Sequence, residues 1–276
     1  MKDLAIVILN YNTYEMTLDL VNSLNRICPK DSYSIIVVDN ASPNESAQKL
    51  QDAAVKTNLF TFIKSEKNGG YAAGNNIGLK YSVEQGCKFS LVLNNDIEID
   101  SYQQIQNMID LMSSTPQIGA VSPRIVGKDG KKDPPIYFKK PTFWDLSFGI
   151  KSNNRQRYSF DENRNVRIYA PRGSCMLLRN DSLKKIDFLD EYTFLYYEEP
   201  ILAERLLKNG FECWLCGESC VVHNHAVTIS KSINKKKIID IILRSYNYYL
   251  SVYRDFNFFQ AAVCLMIRKL AIMVRR

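Results

Sequence analysis

Three apolar runs in the N-terminal half stop at side chains able to bind a polar ligand. Residues 4–9 run into Asn10-Tyr11-Asn12, residues 34–38 into Asp39-Asn40-Ala41-Ser42, and residues 89–93 into Asn94-Asn95-Asp96. One such cluster is ordinary turn chemistry, since Asn and Asp favour turns. Three of them, each closing an apolar run, predict a polar pocket, because ligands of open α/β sheets bind beyond the carboxyl ends of the strands. A fourth segment, Asn68-Gly69-Gly70-Tyr71-Ala72-Ala73-Gly74-Asn75-Asn76-Ile77-Gly78, lacks the Gly-Lys-Ser/Thr of a phosphate loop and the spacing of a dinucleotide fingerprint. Its small residues serve equally for close approach of a phosphate to a helix N-terminus or for packing a helix on a sheet.

The second half carries other candidates. Glu198 and Glu199 stand before Pro200, which suits the first turn of a helix over 201–209 that Gly210 ends. The helix dipole favours ionised carboxylates there, so the pair is a helix cap or a general base. Arg172-Gly173-Ser174 is a pocket wall or a tight turn entering a strand. His223 and His225 are the only histidines. Cys213, Cys216 and Cys220 lie close enough in sequence to raise a zinc site with them. Against it, 213–216 reads as a strand, where positions three apart face opposite ways, and no second Cys-x₂-Cys follows. The cysteines read instead as small buried hydrophobes.

The elements that must position these residues alternate. Strands are expected over 4–9, 34–38, 59–64, 89–93 and 118–126. Helices fall between them, at 20–27, from Ser42 with Pro43 in its first turn, at 71–84 and at 101–114. This order predicts a doubly wound parallel sheet. Residues 128–141 and 151–166 are polar loops or insertions, a form that active-site lids take. Order returns over 167–179, and two short strands are expected in 211–222. Residues 233–276 read as two helices broken near Asp255-Phe256-Asn257.

Taken together, Ile8-Leu9-Asn10-Tyr11-Asn12, Val37-Val38-Asp39-Asn40-Ala41-Ser42, Asn68-Gly69-Gly70-Tyr71 with Gly74-Asn75-Asn76, and Leu93-Asn94-Asn95-Asp96 resemble glycosyltransferase family 2, most closely its rhamnosyltransferase-like branch. The resemblance covers roughly residues 4–230. It implies a GT-A fold: a Rossmann-like, mostly parallel sheet flanked by helices. It also implies transfer of a sugar, with inversion, from a nucleotide-diphosphate donor (UDP- or dTDP-sugar) to a hydroxyl of a glycan or lipid-linked glycan, as in bacterial surface polysaccharide synthesis.

Residue by residue, the resemblance has Asp39 bond the base or ribose and Tyr11 lie against the base. Asn10, Asn68, Gly74, Asn75 and Asn95 join them on the donor side. Asn94 and Asp96 occupy the ends of the family's Asp-x-Asp motif, which holds Mg²⁺ or Mn²⁺ against the donor diphosphate. Such hard cations take one or two carboxylates plus phosphate oxygens. Here Asn94 replaces the first Asp, so Asp96 carries most of the metal binding. His223, or alternatively His225, completes that site. Glu199 takes the place of the catalytic base, with Glu198 before it; the second Asp that the family often has two residues on is Ile201 here. Arg172, Gly173 and Ser174 line the acceptor side.

The bulk of the chain fits this. It has 276 residues, 46% of them apolar, and a net charge of +7. Ten basic residues against Asp240 and Asp255 from Lys231 onward give that tail +8, leaving the body near −1. A nucleic-acid-binding protein would carry a basic face on its body too, so nucleic acid is not an expected partner. The tail interleaves tyrosines and phenylalanines with Lys and Arg, which suits an anionic membrane surface. A division is therefore expected between a transferase domain at 1–230 and a membrane-associating helical extension at 231–276. No signal peptide or spanning segment is expected, since Arg268-Lys269 interrupt the best apolar stretch. This places the protein in the cytoplasm, peripheral on the inner face of the membrane. Seven cysteines, an odd number, argue for reduced thiols. A catalytically inactive membrane-docked nucleotide-binding module and a nucleotidyltransferase are the alternatives.

Overall fold

A computed structural model of the chain describes residues 2–30, 32–133, 137–148, 163–224 and 235–274. Near-continuous apolar runs become strands buried on both faces. β1 (Leu4–Asn10), β2 (Tyr33–Asp39), β3 (Thr61–Lys64) and β4 (Phe89–Asn94) pair in parallel in the order β3-β2-β1-β4. The crossovers are α1 (Tyr14–Ile27), α2 (Ser46–Thr57) and α3 (Gly70–Glu84). In register, Asn10 lies opposite Asp39 and Leu9 opposite Asn94. The Asn/Asp clusters of three strands therefore meet along one edge, as their sequence positions predict.

Beyond β4 the sheet changes direction. Its further elements are β5 (Ile97–Glu98), α4 (Tyr102–Ser114), β6 (Ile118–Gly127), α5 (Phe143–Phe148), β7 (Val166–Ile168), β8 (Cys175–Arg179), α6 (Asn180–Lys185), α7 (Glu198–Lys208) and β9 (Glu212–His223). The order continues β4-β8-β6-β9-β5, with β7 beside β9. β8 runs antiparallel to both β4 and β6, while β6 and β9 are parallel. Doubly wound parallel geometry thus describes the N-terminal strands, and an antiparallel neighbour follows. That reversal matters: the residues entering β8 arrive beside the end of β4, and Asn94 N–H donates to Ser174 C=O at 2.9 Å.

Two sequence expectations are corrected. Ser42 does not cap α2, which opens at Ser46. Its N–H and hydroxyl instead donate to Asp39, at 2.9 and 2.6 Å. Residues 211–222 do not make two strands; β9 is one, with its register slipping between the Pro123–Cys216 and Arg124–Cys220 pairs.

The break near residue 255 holds. α8 (Lys235–Tyr248) passes through a π-turn at Tyr249–Tyr253 and resumes as α9 (Phe258–Val274). This tail is built into the core. Tyr246, Tyr249, Leu250 and Cys264 are almost fully buried in the cluster that also contains Val7, Ala72 and Leu206. Glu204 of α7 ties it down: Arg254 Nη1 donates to it at 2.9 Å, Tyr169 OH at 2.7 Å and Lys140 Nζ at 2.7 Å. Arg254 and Glu204 are 6% and 9% exposed, so neither charge has water to fall back on. The expected division at 230/231 lies outside the described residues. Among those described, no helix is long and apolar enough to cross a membrane.

Tyr249 is 0% exposed and its hydroxyl meets Tyr169 OH at 2.8 Å. Tyr249→Ala should destabilise the whole protein by about 3–5 kcal/mol, the usual cost of emptying a buried aromatic site, in a single denaturant transition. A tail that folds apart would instead leave the main transition in place.

Candidate active site

One cavity of about 500 Å³ gathers residues from both halves of the chain. Its walls include Asn94, Arg172, Gly173, Ser174, Glu198, Glu199 and His223, all singled out in the sequence. Tyr71, quoted in the sequence only as part of its motif, also lines it, as do Tyr137, Tyr197, Tyr246 and Arg268, to which no site role was given. The donor-side candidates Asn10, Tyr11, Asp39, Asn68, Gly74, Asn75 and Asn95 lie outside its described lining.

The turn after β4 is fixed from behind. Asn95 Nδ2 donates to Thr13 Oγ1 at 2.7 Å and to Thr17 Oγ1 at 2.9 Å. Thr17 Oγ1 donates to Asn10 Oδ1 at 2.8 Å, and Asn10 Nδ2 to Asp39 Oδ2 at 2.8 Å. One buried chain of bonds therefore links the ends of β4, β1 and β2. Asn10 and Asp39 are 0% exposed. Tyr11, half-buried, sits just past β1.

Ahead of that turn, Asp96 Oδ2 lies 3.2 Å from His223 Nε2. His223 Nδ1 is 3.8 Å from Asp133, which pairs with Arg172. Burial opposes charge on the imidazole, but hydrogen bonds to Asp133 and Asp96 outweigh it and raise its pKa to about 9. The other oxygen of Asp96, Oδ1, is buried with no hydrogen-bond partner among the described residues. An unsatisfied buried carboxylate oxygen is a fitting ligand for a hard divalent cation, and His223 joins it only where the cation displaces the imidazole's second proton. Among the described residues no three His, Cys, Asp or Glu side chains form a metal cage on their own. Any metal here would need further oxygens from its ligand. His225 lies outside the described residues. Cys213 and Cys216 are buried, and burial lifts their thiols to about 12 and about 11, unlike the thiolates zinc requires.

The small-residue segment positions the other half of the site. Gly74 packs on Leu9, where a Cβ would come within 2.6 Å of its side chain, and Asn40 Nδ2 bonds Asn68 Oδ1 and Gly70 C=O, both at 3.0 Å. Gly70 has φ +86°, and a Cβ there would lie 2.0 Å from the Phe194 carbonyl oxygen. Tyr71 N–H donates to that same oxygen at 2.9 Å. Asn76 bonds the backbone of Leu189 through both its amide groups, at 2.8 and 3.0 Å. Asn75, buried, donates to Tyr71 C=O at 3.0 Å. The N-terminus of α3 thus seats the loop that leads into α7. From the other side Ser245 of α8 donates to Leu195 C=O at 2.8 Å.

Glu198 and Glu199 open α7, and the Tyr196 and Tyr197 backbones before them are left-handed, at φ 72° and 69°. Glu199 Oε1 accepts Gly173 N–H at 3.2 Å, and Tyr71 OH donates to Gly173 C=O. Burial, with the charge of Glu199 and Glu198, keeps the Tyr71 phenol protonated. Glu198 is 8% exposed and its Oε1 has no partner. Burial, and then the charge of Glu199, raises the Glu198 carboxyl from 4.5 to about 8.

Sequence reasoning missed Asp133, Tyr137, Tyr197, Tyr246 and Arg268 as site residues, and gave Tyr71 no role beyond its motif. The polar stretch 128–141 signalled a functional loop, which is where Asp133 and Tyr137 lie. Nothing in sequence spacing tied the tail to the pocket.

The Glu198 shift sets a pH window. The folded protein holds a proton that the unfolded chain releases, so that stability is complete below about pH 4.5 and lost as the pH rises through about 8. Glu198→Gln carries no such penalty. Its melting temperature should match wild type near pH 4.5 and exceed it by several degrees at alkaline pH. An offset that does not change with pH would show that Glu198 does not titrate in that window.

Comparison with known proteins agrees with this architecture. The model for glycosyl transferase family 2 matches residues 5–187. The low-salt glycan biosynthesis hexosyltransferase Agl10 of Haloferax volcanii is 30% identical over 229 residues, covering 82% of this chain and 69% of that protein. Among solved structures, GalNAc-T7 with UDP, GalNAc and Mn²⁺ superposes with a TM-score of 0.68 at 15% identity, over 92% of this chain. The chain spans only 49% of that one. The mannosyltransferase PcManGT of Pyrobaculum calidifontis, with GDP-Man and Mn²⁺, gives 0.62 at 13% identity, covering 96% of this chain and 68% of that one. S. aureus TarS with UDP-GlcNAc gives 0.61 at 18%, covering 96% and 70%. The fold is GT-A, and the chain belongs to glycosyl transferase family 2: it is a glycosyltransferase.

Proposed function

We propose that the protein transfers a sugar, with inversion, from a UDP- or dTDP-sugar to a hydroxyl of a glycan or lipid-linked glycan acceptor in surface polysaccharide synthesis, using Mg²⁺ or Mn²⁺. The observation that carries this is that Asn94, His223 and Glu199 line one cavity. Nucleotides and Mn²⁺ in the named neighbours support the donor class and the metal.

Asp96, Asn94 and His223 would hold the cation, which when bound neutralises charge on the departing diphosphate. On the donor side, Tyr11 would lie against the base. Asp39 Oδ1 accepts one bond, from Ser42 N–H, and keeps capacity for a nucleoside group. Asn10, Asn95, Asn68, Gly74 and Asn75 act by shaping that edge. Glu199 takes the proton of the acceptor hydroxyl, held in line by Gly173 N–H, and the oxygen attacks the anomeric carbon from the face opposite the leaving group. Arg172, Gly173 and Ser174 flank the incoming acceptor. Glu198, protonated at neutral pH, adds no second charge to repel it.

The cytoplasmic, membrane-peripheral reading gains support from α9. Val263, Met266 and Leu270 are exposed on it, and Trp144 and Phe148 are exposed on α5, which packs against it through Ser147 and Cys264. An apolar helix face with basic neighbours suits the surface of an anionic bilayer. On this reading residues 1–230 supply the transferase machinery and 231–276 its membrane face.

Glu199→Gln should lower kcat by about 10²–10⁴, the usual worth of a positioned base, and leave donor binding intact. Full activity in that variant would remove Glu199 from the role. UDP or dTDP should raise the melting temperature, and Mn²⁺ should enlarge the rise in wild type but not in Asp96→Ala, because a ligand that binds only the native state stabilises it. With no shift from any nucleotide, the catalytically inactive alternative would take over.

A further inference from the structure

We propose that Arg268, on the inward face of α9, binds a phosphate group of the acceptor in the cavity described above. The idea rests on the transferase reading above, in which this cavity admits the acceptor. Ala261, Cys264, Leu265 and Arg268 recur at helical spacing and share one face. Ala261 and Cys264 are buried, at 8% and 0%, so that face points inward, and Arg268 lines the same cavity as Asn94 and Glu199.

Among the described residues no hydrogen bond or ion pair of the guanidinium is found, and its Nε is buried. Asp145, another carboxylate of the lining, accepts from Thr142 N–H at 2.9 Å and Thr142 Oγ1 at 2.8 Å. The charge of Arg268 reaches the phenols of Tyr137 and Tyr197. A buried donor without an acceptor is costly, and a planar guanidinium satisfies several N–H groups at once on a phosphate.

Two sources share that chemistry: the phosphate of a lipid carrier and that of a soluble sugar phosphate. The lipid is favoured. Leu146 and Ile242 add apolar lining to the same cavity, and the outer face of the helix that carries Arg268 exposes Val263, Met266 and Leu270.

The test titrates EDTA-treated protein with citronellyl phosphate, inorganic phosphate and citronellol, in wild type, Arg268→Ala and Arg268→Lys. Citronellyl phosphate should bind at least tenfold more weakly to Arg268→Ala, with partial recovery in Arg268→Lys, while citronellol binding stays the same in all three. Inorganic phosphate that depends on Arg268 as strongly as citronellyl phosphate does would support the site and assign it to a soluble phosphate. Equal binding of citronellyl phosphate by wild type and Arg268→Ala, or none by wild type, overturns the proposal. So does loss of the UDP–Mn²⁺ thermal shift in Arg268→Ala, which would assign the cation to the donor. A wild type that gives no nucleotide shift speaks against the transferase reading alone, since the phosphate titration needs neither metal nor nucleotide.

Discussion

Gly70 lies so close to the Phe194 carbonyl that no side chain fits between them, and the site depends on that contact. A residue with φ +86° has little to lose by being glycine, and much to lose by being anything else. Through it the N-terminus of α3, an element of the parallel half, meets the loop that delivers Glu198 and Glu199 from the other half. Tyr71 adds a backbone bond to Phe194 and a side-chain bond to Gly173, so one dipeptide orients both the acidic pair and the segment facing it. The left-handed backbones at Tyr196 and Tyr197 cost about 1–3 kcal/mol each. Stacking of Tyr197 on Tyr246 and Tyr249, at centroid distances of 5.2 and 5.6 Å, offsets part of that cost.

Polar groups at the strand edge fall into two sets. Asn95, Thr17, Asn10 and Asp39 form one open chain of buried hydrogen bonds that holds the strand ends in register. Asp96 Oδ1, Ser174 Oγ, Glu198 Oε1 and Arg268 Nε are buried with no hydrogen-bond partner among the described residues. All four belong to the cavity or to the turn beside it. A folded protein leaves few buried polar atoms unsatisfied, and a ligand's own polar groups would satisfy these four.

The C-terminal helices link stability to function. Glu204 sits on α7 a little beyond the acidic pair and receives Arg254, Tyr169 and Lys140. The helix that presents Glu199 is thereby anchored to the tail. The same tail walls the cavity with Ile242, Tyr246 and Arg268. Loosening it would disturb both the fold and the geometry of the site.

Local signals in the sequence determined the strands, the crossover helices, the meeting of three Asn/Asp clusters on one edge and the family. These follow from apolar run length and turn chemistry, which act between near neighbours. The break between the two tail helices was legible for the same reason. The sequence did not disclose the antiparallel insertion of β8, because apolar runs carry no direction. It did not disclose that β9 is a single strand, because its irregularity is absorbed by pairing with β6. The role of Ser42 was misread, since capping chemistry and a bond to Asp39 demand the same residue type. Asp133, Tyr137 and Arg268 join the site only through contacts between residues far apart in the chain. Tertiary packing alone brings them together, and no spacing rule spans that distance.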